Sequence, residues 1–113
     1  MKSEDLMIGD WVFYGEKPVR ILQLSEGKDY KEIHPIPLTP EILEKNGFSQ
    51  DSLNGHVFIF HEKSGEVIYY EYGPKYGLTI DNQFATIQDL KIKYVHELQH
   101  ALRLCGIDKT IEL

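Results

Sequence analysis

Residues 56–72 constrain the fold of this chain more than any other stretch, because two dense runs of branched and aromatic side chains flank a short polar turn. His56-Val57-Phe58-Ile59-Phe60-His61 and Glu66-Val67-Ile68-Tyr69-Tyr70-Glu71-Tyr72 enclose Glu62-Lys63-Ser64-Gly65, which predicts a β-hairpin. Large residues fall on both faces of both arms. One face must therefore pack on the body of the protein, with the other covered by a helix or left as an aromatic surface. Tyr69, Tyr70 and Tyr72, with Tyr76 just beyond, are the candidate members of such an interaction surface.

The remaining β signals are shorter. Ile8-Gly9-Asp10-Trp11-Val12-Phe13-Tyr14 reads as a Gly-Asp turn releasing a first strand. Lys17-Pro18 interrupts, Val19 to Leu24 alternates as a second strand, and Ser25-Glu26-Gly27-Lys28-Asp29 is the turn that follows. A third strand near Tyr30 to Ile33 would complete an antiparallel meander resembling the opening of an SH3-like small barrel, an analogy of shape that carries no function. Gly73-Pro74-Lys75-Tyr76-Gly77 is a turn, and further strands are expected at Leu78-Thr79-Ile80 and from Phe84 to Leu90.

Two helices are marked by their ends. Thr39-Pro40-Glu41 supplies an N-cap, a first-turn proline and an acid at the positive end of the helix dipole. Asn46-Gly47 closes that helix after residues 40–46, with Phe48 folding back on Leu43. The second runs from Ile92 or Tyr94 to Cys105 with Gly106 as its C′ residue. At about 100° per residue, Ile92, Val95, Leu98, Ala101, Leu102 and Cys105 form an apolar stripe. His96 and His100 fall opposite, with Lys93, Gln99 and Arg103, toward solvent or a groove. The expectation is a single α+β domain over 1–113: a bent antiparallel sheet, SH3-like in its N-terminal part, with a short mid-chain helix and a C-terminal amphipathic helix. With 42% hydrophobic residues, 113 residues suffice for one core.

His96-Glu97-Leu98-Gln99-His100 spells H-E-x-x-H, which places two imidazoles one helical turn apart beside a carboxylate. In a zinc hydrolase His96 and His100 would ligate the metal and Glu97 would deprotonate its water. The extended motif would need glycine at Arg103 and histidine at Gly106. Asp108 and Glu112 are the acids left for a third ligand, on a terminal tail that is a poor rigid support. His34, His56 and His61 have no spacing that demands a composite site. Cys105 reads as a small core residue.

Three stretches carry a resemblance: Leu6-Met7-Ile8-Gly9-Asp10-Trp11-Val12, residues 36–48, and Ile92-Lys93-Tyr94-Val95-His96-Glu97-Leu98-Gln99. Together they resemble a group of small uncharacterised proteins encoded by gut bacteria, often near prophages or mobile elements. That group usually carries glutamine and asparagine where this chain has Glu97 and His100, so the resemblance implies that the H-E-x-x-H string is incidental and supplies no catalytic residues.

The expected function is thus a non-enzymatic accessory or protein-interaction module without cofactor, acting through the Tyr-rich hairpin or the polar face of the last helix. The alternatives are a zinc-dependent hydrolase and, more weakly, a nucleic-acid-binding small barrel. With 18 acidic against 12 basic residues, a net charge of −6 opposes a polyphosphate partner. A lone cysteine, no apolar leader and no membrane span point to the cytoplasm. The partner is an unspecified protein, a second copy of the chain included.

Overall fold

In the computed structural model the described residues are 1–25, 27–63, 65–73, 75–81 and 86–113, with the side chains of 86–89 left out. In chain order the elements are a 3-10 turn (Ser3–Asp5), β1 (Trp11–Tyr14), β2 (Lys17–Arg20), β3 (Ile33–Pro35), α1 (Pro40–Lys45), β4 (Ser49–Gln50), β5 (Val57–His61), β6 (Val67–Glu71), β7 (Gly77–Asp81), β8 (Thr86–Lys91) and α2 (Val95–Leu104). This is an α+β chain with two antiparallel sheets. Its residues group into two compact units. Met1–Leu38 and Lys93–Ile111 form one, Thr39–Ile92 and Glu112–Leu113 the other.

In the first unit the sheet order is β2-β1-β3. Gly15, at φ +62°, opens the two-residue turn between Tyr14 and Lys17, a conformation glycine adopts without penalty. The second strand therefore starts at Lys17, ahead of the expected Val19, and ends at Arg20. Pro18 is accommodated because β2 is an edge strand, where a missing N–H breaks no ladder. β3 pairs with β1, Phe13 standing opposite His34, so the expected meander is replaced by a chain that returns to the far side of β1. The sheet keeps two edges and closes no SH3-like barrel. Leu6, Val12, Ile21 and Ile33 form a buried cluster joined by Met1, Val19, Leu24 and Tyr30.

α2 enters this unit through a short antiparallel pairing, Leu38 N–H to Lys93 O at 3.0 Å and Val95 N–H to Ile36 O at 2.9 Å. It then packs against β1. Its end matches the expectation: Gly106, at φ +73°, donates to Arg103 O, and Ile107 donates to Leu102 O, the paired bonds of a Schellman motif. The tail beyond is firmly held. Gln99 donates to Lys109 O and accepts from Ile111 N–H, both at 2.8 Å, and the Trp11 indole donates to Ile111 O at 2.9 Å.

In the second unit Thr39 caps α1 through its hydroxyl, and Gly47 and Phe48 close it by the same Schellman pair, donating to Glu44 O and Leu43 O. The sheet is a meander, β4-β5-β6-β7-β8. β5 and β6 make the expected hairpin with Phe58 opposite Tyr70 and Ile59 opposite Tyr69. Period-two alternation puts Phe58, Ile68, Tyr70, Leu78 and Ile80 on the buried face, joined by Leu43 and Phe48. Phe48 and Phe60 meet with ring centroids 5.4 Å apart. Of the turn and strand residues expected from sequence, Glu26, Ser64, Pro74 and Phe84 lie outside the described residues. β4 has no strand signal of its own in the sequence and forms by pairing with β5.

Candidate functional site

The H-E-x-x-H string lies in the first two turns of α2, where the helix start dictates what Glu97 does. The first N–H groups of a helix lack intrahelical acceptors, and an acid at the third position meets that need. Glu97 Oε1 accepts from Lys93 N–H at 2.9 Å and from Tyr94 N–H at 3.0 Å. The carboxylate expected to act as a general base is a capping group.

His100 is committed in a different way. Its Nε2 lies 2.7 Å from Asp10 Oδ2, a bond in which the imidazole donates, since a carboxylate only accepts. Asp10 is 0% exposed. A buried carboxylate needs partners, and this one has three: Oδ2 also accepts from Met7 N–H at 2.8 Å, and Arg103 Nη1 stands 3.5 Å from Oδ1. Gly9 makes room for that guanidinium, because a Cβ at this residue would lie 3.0 Å from Arg103 Nη2, and its φ of +92° disfavours a side chain in any case. Asp10 was read from sequence only as half of a turn. The signal available was an acid in the first of the three resembling stretches, one turn-residue before a strand.

His96 departs from the expectation that it lies on the polar face. It is 7% exposed, as Gln99 is 6%, so this side of α2 is covered. For Gln99 the cause is the folded-back tail that its carboxamide holds. For His96 it is the flanking rings: Tyr94 stacks on it with centroids 6.0 Å apart, and His100 meets it edge-on at 5.4 Å. Burial drives the His96 pKa below its ordinary value, more than the nearby Asp10 carboxylate raises it, and His100 lowers it further. Its Nδ1 is buried without a hydrogen-bond partner.

His96, His100, Tyr94 and Glu97 line a cleft of about 430 Å³ in the first unit, with Pro35 and the acids Glu4 and Asp5 on the 3-10 turn completing most of its wall. Among the described residues no group of three or more His, Cys, Asp or Glu side chains is arranged to hold a metal ion. Asp108 and Glu112 are exposed, and His34, His56 and His61 are exposed on β3, before β5 and at its end. With Nε2 bonded to Asp10, His100 keeps only Nδ1, the nitrogen nearer its own backbone, for a ligand.

The tyrosines separate. Tyr70 is fully buried and its hydroxyl donates to Ile92 O, so it belongs to the core and leaves the expected surface. Tyr69 is 38% exposed on the opposite face of β6. Tyr72 and Tyr76 are half-buried and meet edge to face at 5.9 Å, with Tyr76 at φ +53°. Cys105 is half-buried beside Gly106, and burial raises its thiol pKa, which disfavours a nucleophilic thiolate. Compared with known protein families, curated proteins and solved structures, the chain gives no match.

Proposed function

We propose that this chain is a non-enzymatic protein-binding module of the cytoplasm, in which the H-E-x-x-H string builds the start of α2 and its link to the Gly9-Asp10 turn. The observation that carries this reading is the double amide bond to Glu97 Oε1, reinforced by the Asp10 bond at His100 Nε2. A zinc hydrolase needs that carboxylate free to take a proton from metal-bound water and those imidazoles free to ligate. Here all three groups are tied to the protein itself or buried. The docking surface on this reading is the polar side of α2 around the cleft; on the Tyr-rich sheet, Tyr69 is the exposed member.

Replacing Glu97 tests it. Glu97→Gln keeps an acceptor and is expected to fold with near wild-type stability, while Glu97→Ala is expected to lose about 1 kcal/mol in urea denaturation. Peptide hydrolysis by the wild-type protein that disappears in Glu97→Gln would overturn the reading. Nothing in the chain favours the nucleic-acid alternative: its net charge is −6, and the acids, not the bases, line the cleft.

A further inference from the structure

Acidic residues gathered at a surface are ordinarily just solvated, so Glu4 and Asp5 alone would carry little. What distinguishes the α2 cleft is the imidazole in its wall. His96 lines it while only 7% exposed, and it keeps a buried nitrogen with no partner. Buried polar atoms are nearly always bonded, and an unmet one marks a place where a bond remains to be made. Burial also keeps this ring neutral near pH 7, so it offers a lone pair and adds no positive charge to repel a cation.

The other groups around it select the sign of the occupant. Glu4 and Asp5 are both exposed on the 3-10 turn and carry full negative charge into the mouth. The Met1 amino group, which also borders the cleft, is drawn to Tyr30 O at 2.7 Å and to Asp29 at 3.9 Å. No lysine or arginine lines the cleft. Tyr94 contributes an aromatic ring of the kind that attracts cations. A three-ligand metal centre is not formed among the described residues, which leaves an organic cation with several N–H donors as the matching chemistry.

We infer that the α2 cleft receives a lysine or arginine side chain presented by a protein partner, with Glu4 and Asp5 pairing with its charge and His96 and Tyr94 forming the wall against which its stem packs. This rests on the reading of the chain as a binding module and names the partner's chemistry at that module's site. The long stems of these residues cover apolar and aromatic surface while the charged head bonds outward, which suits a cleft with an aromatic wall and an acidic mouth.

The test is an NMR titration of the full chain with acetyl-Ala-Arg-Ala-amide and its lysine counterpart, following the His96 and Tyr94 ring resonances. The citrulline peptide, which keeps the shape and loses the charge, is the control. Saturable shifts are expected with both basic peptides, little with citrulline, and about tenfold weaker binding to a Glu4→Gln, Asp5→Asn double variant, with affinity falling as salt rises. Both positions are exposed, so the neutral isosteres leave the fold intact, which an unchanged spectrum elsewhere verifies. Absence of saturable shifts, equal binding of citrulline, or undiminished binding to the double variant would each overturn the inference, as would saturation by free spermidine with none by either peptide. The hydrolysis assay on Glu97→Gln fails or succeeds independently of this titration, so the two readings stand or fall separately.

Discussion

At the scale of single residues, the chemistry near α2 is governed by a carboxylate that sequence reasoning took for a turn residue. Asp10 is 0% exposed and serves Met7, His100 and Arg103 together. Removing one partner of a buried charged set leaves the others uncompensated, and because His100 and Arg103 retain some solvent the loss for Asp10→Asn is expected at about 2 kcal/mol, read from the urea midpoint. His96 sets a pH dependence of known sign. Its folded pKa lies below the unfolded value of 6.5, so the unfolded chain binds the proton more readily. Stability is therefore expected to be full above pH 6.5, to fall as the pH drops from there toward the folded pKa, and to level below it. A His96→Phe variant followed from pH 7.5 to 4.5 should lose that part of the slope; an unchanged slope would show that another group carries it. The letters of the string were legible from sequence, but the engagements of Glu97, His100 and His96 were not. Each depends on a bond to backbone or to a residue some ninety positions away, such as the |i−j| of 90 between His100 and Asp10.

At the scale of elements, capping chemistry proved the most legible part of the sequence. Thr39, Gly47 and Gly106 each close a helix where local rules place them, because the bonds involved span only a few residues. The hairpin of β5 and β6 was legible for the same reason. The N-terminal strand order was not: which side of β1 the third strand joins is decided by core packing of Ile33 with Leu6, Val12 and Ile21, and no local pattern reports it. The buried sides of α2 and β6 yield a paired expectation. Leu98→Ala, at a 0% exposed position, is expected to cost about 3 kcal/mol, and Tyr70→Phe about 1 kcal/mol through its lost bond to Ile92 O. Tyr69→Ser, 38% exposed on the opposite face, is expected to change stability by less than about 1 kcal/mol, so denaturation of the three variants side by side checks the alternation directly.

At the scale of the whole molecule, the α+β class followed from the mixture of period-two runs and capped helices, and the two sheets bear it out. No helix among the described residues is long and apolar enough to cross a membrane. What the string of five letters means is a whole-molecule question, because the answer lies in the Gly9-Asp10 turn, the helix start and the tail held by Gln99, which come together only when the first unit folds. The most direct test compares urea denaturation of the wild-type protein in zinc and in chelator. A ligand bound only by the folded state raises the midpoint by mass action. The account predicts superimposable curves for the wild type and for His100→Asn under either condition, apart from the variant's own loss of the Asp10 bond. A wild-type midpoint that rises with zinc, and a variant that shows no such rise, would contradict it.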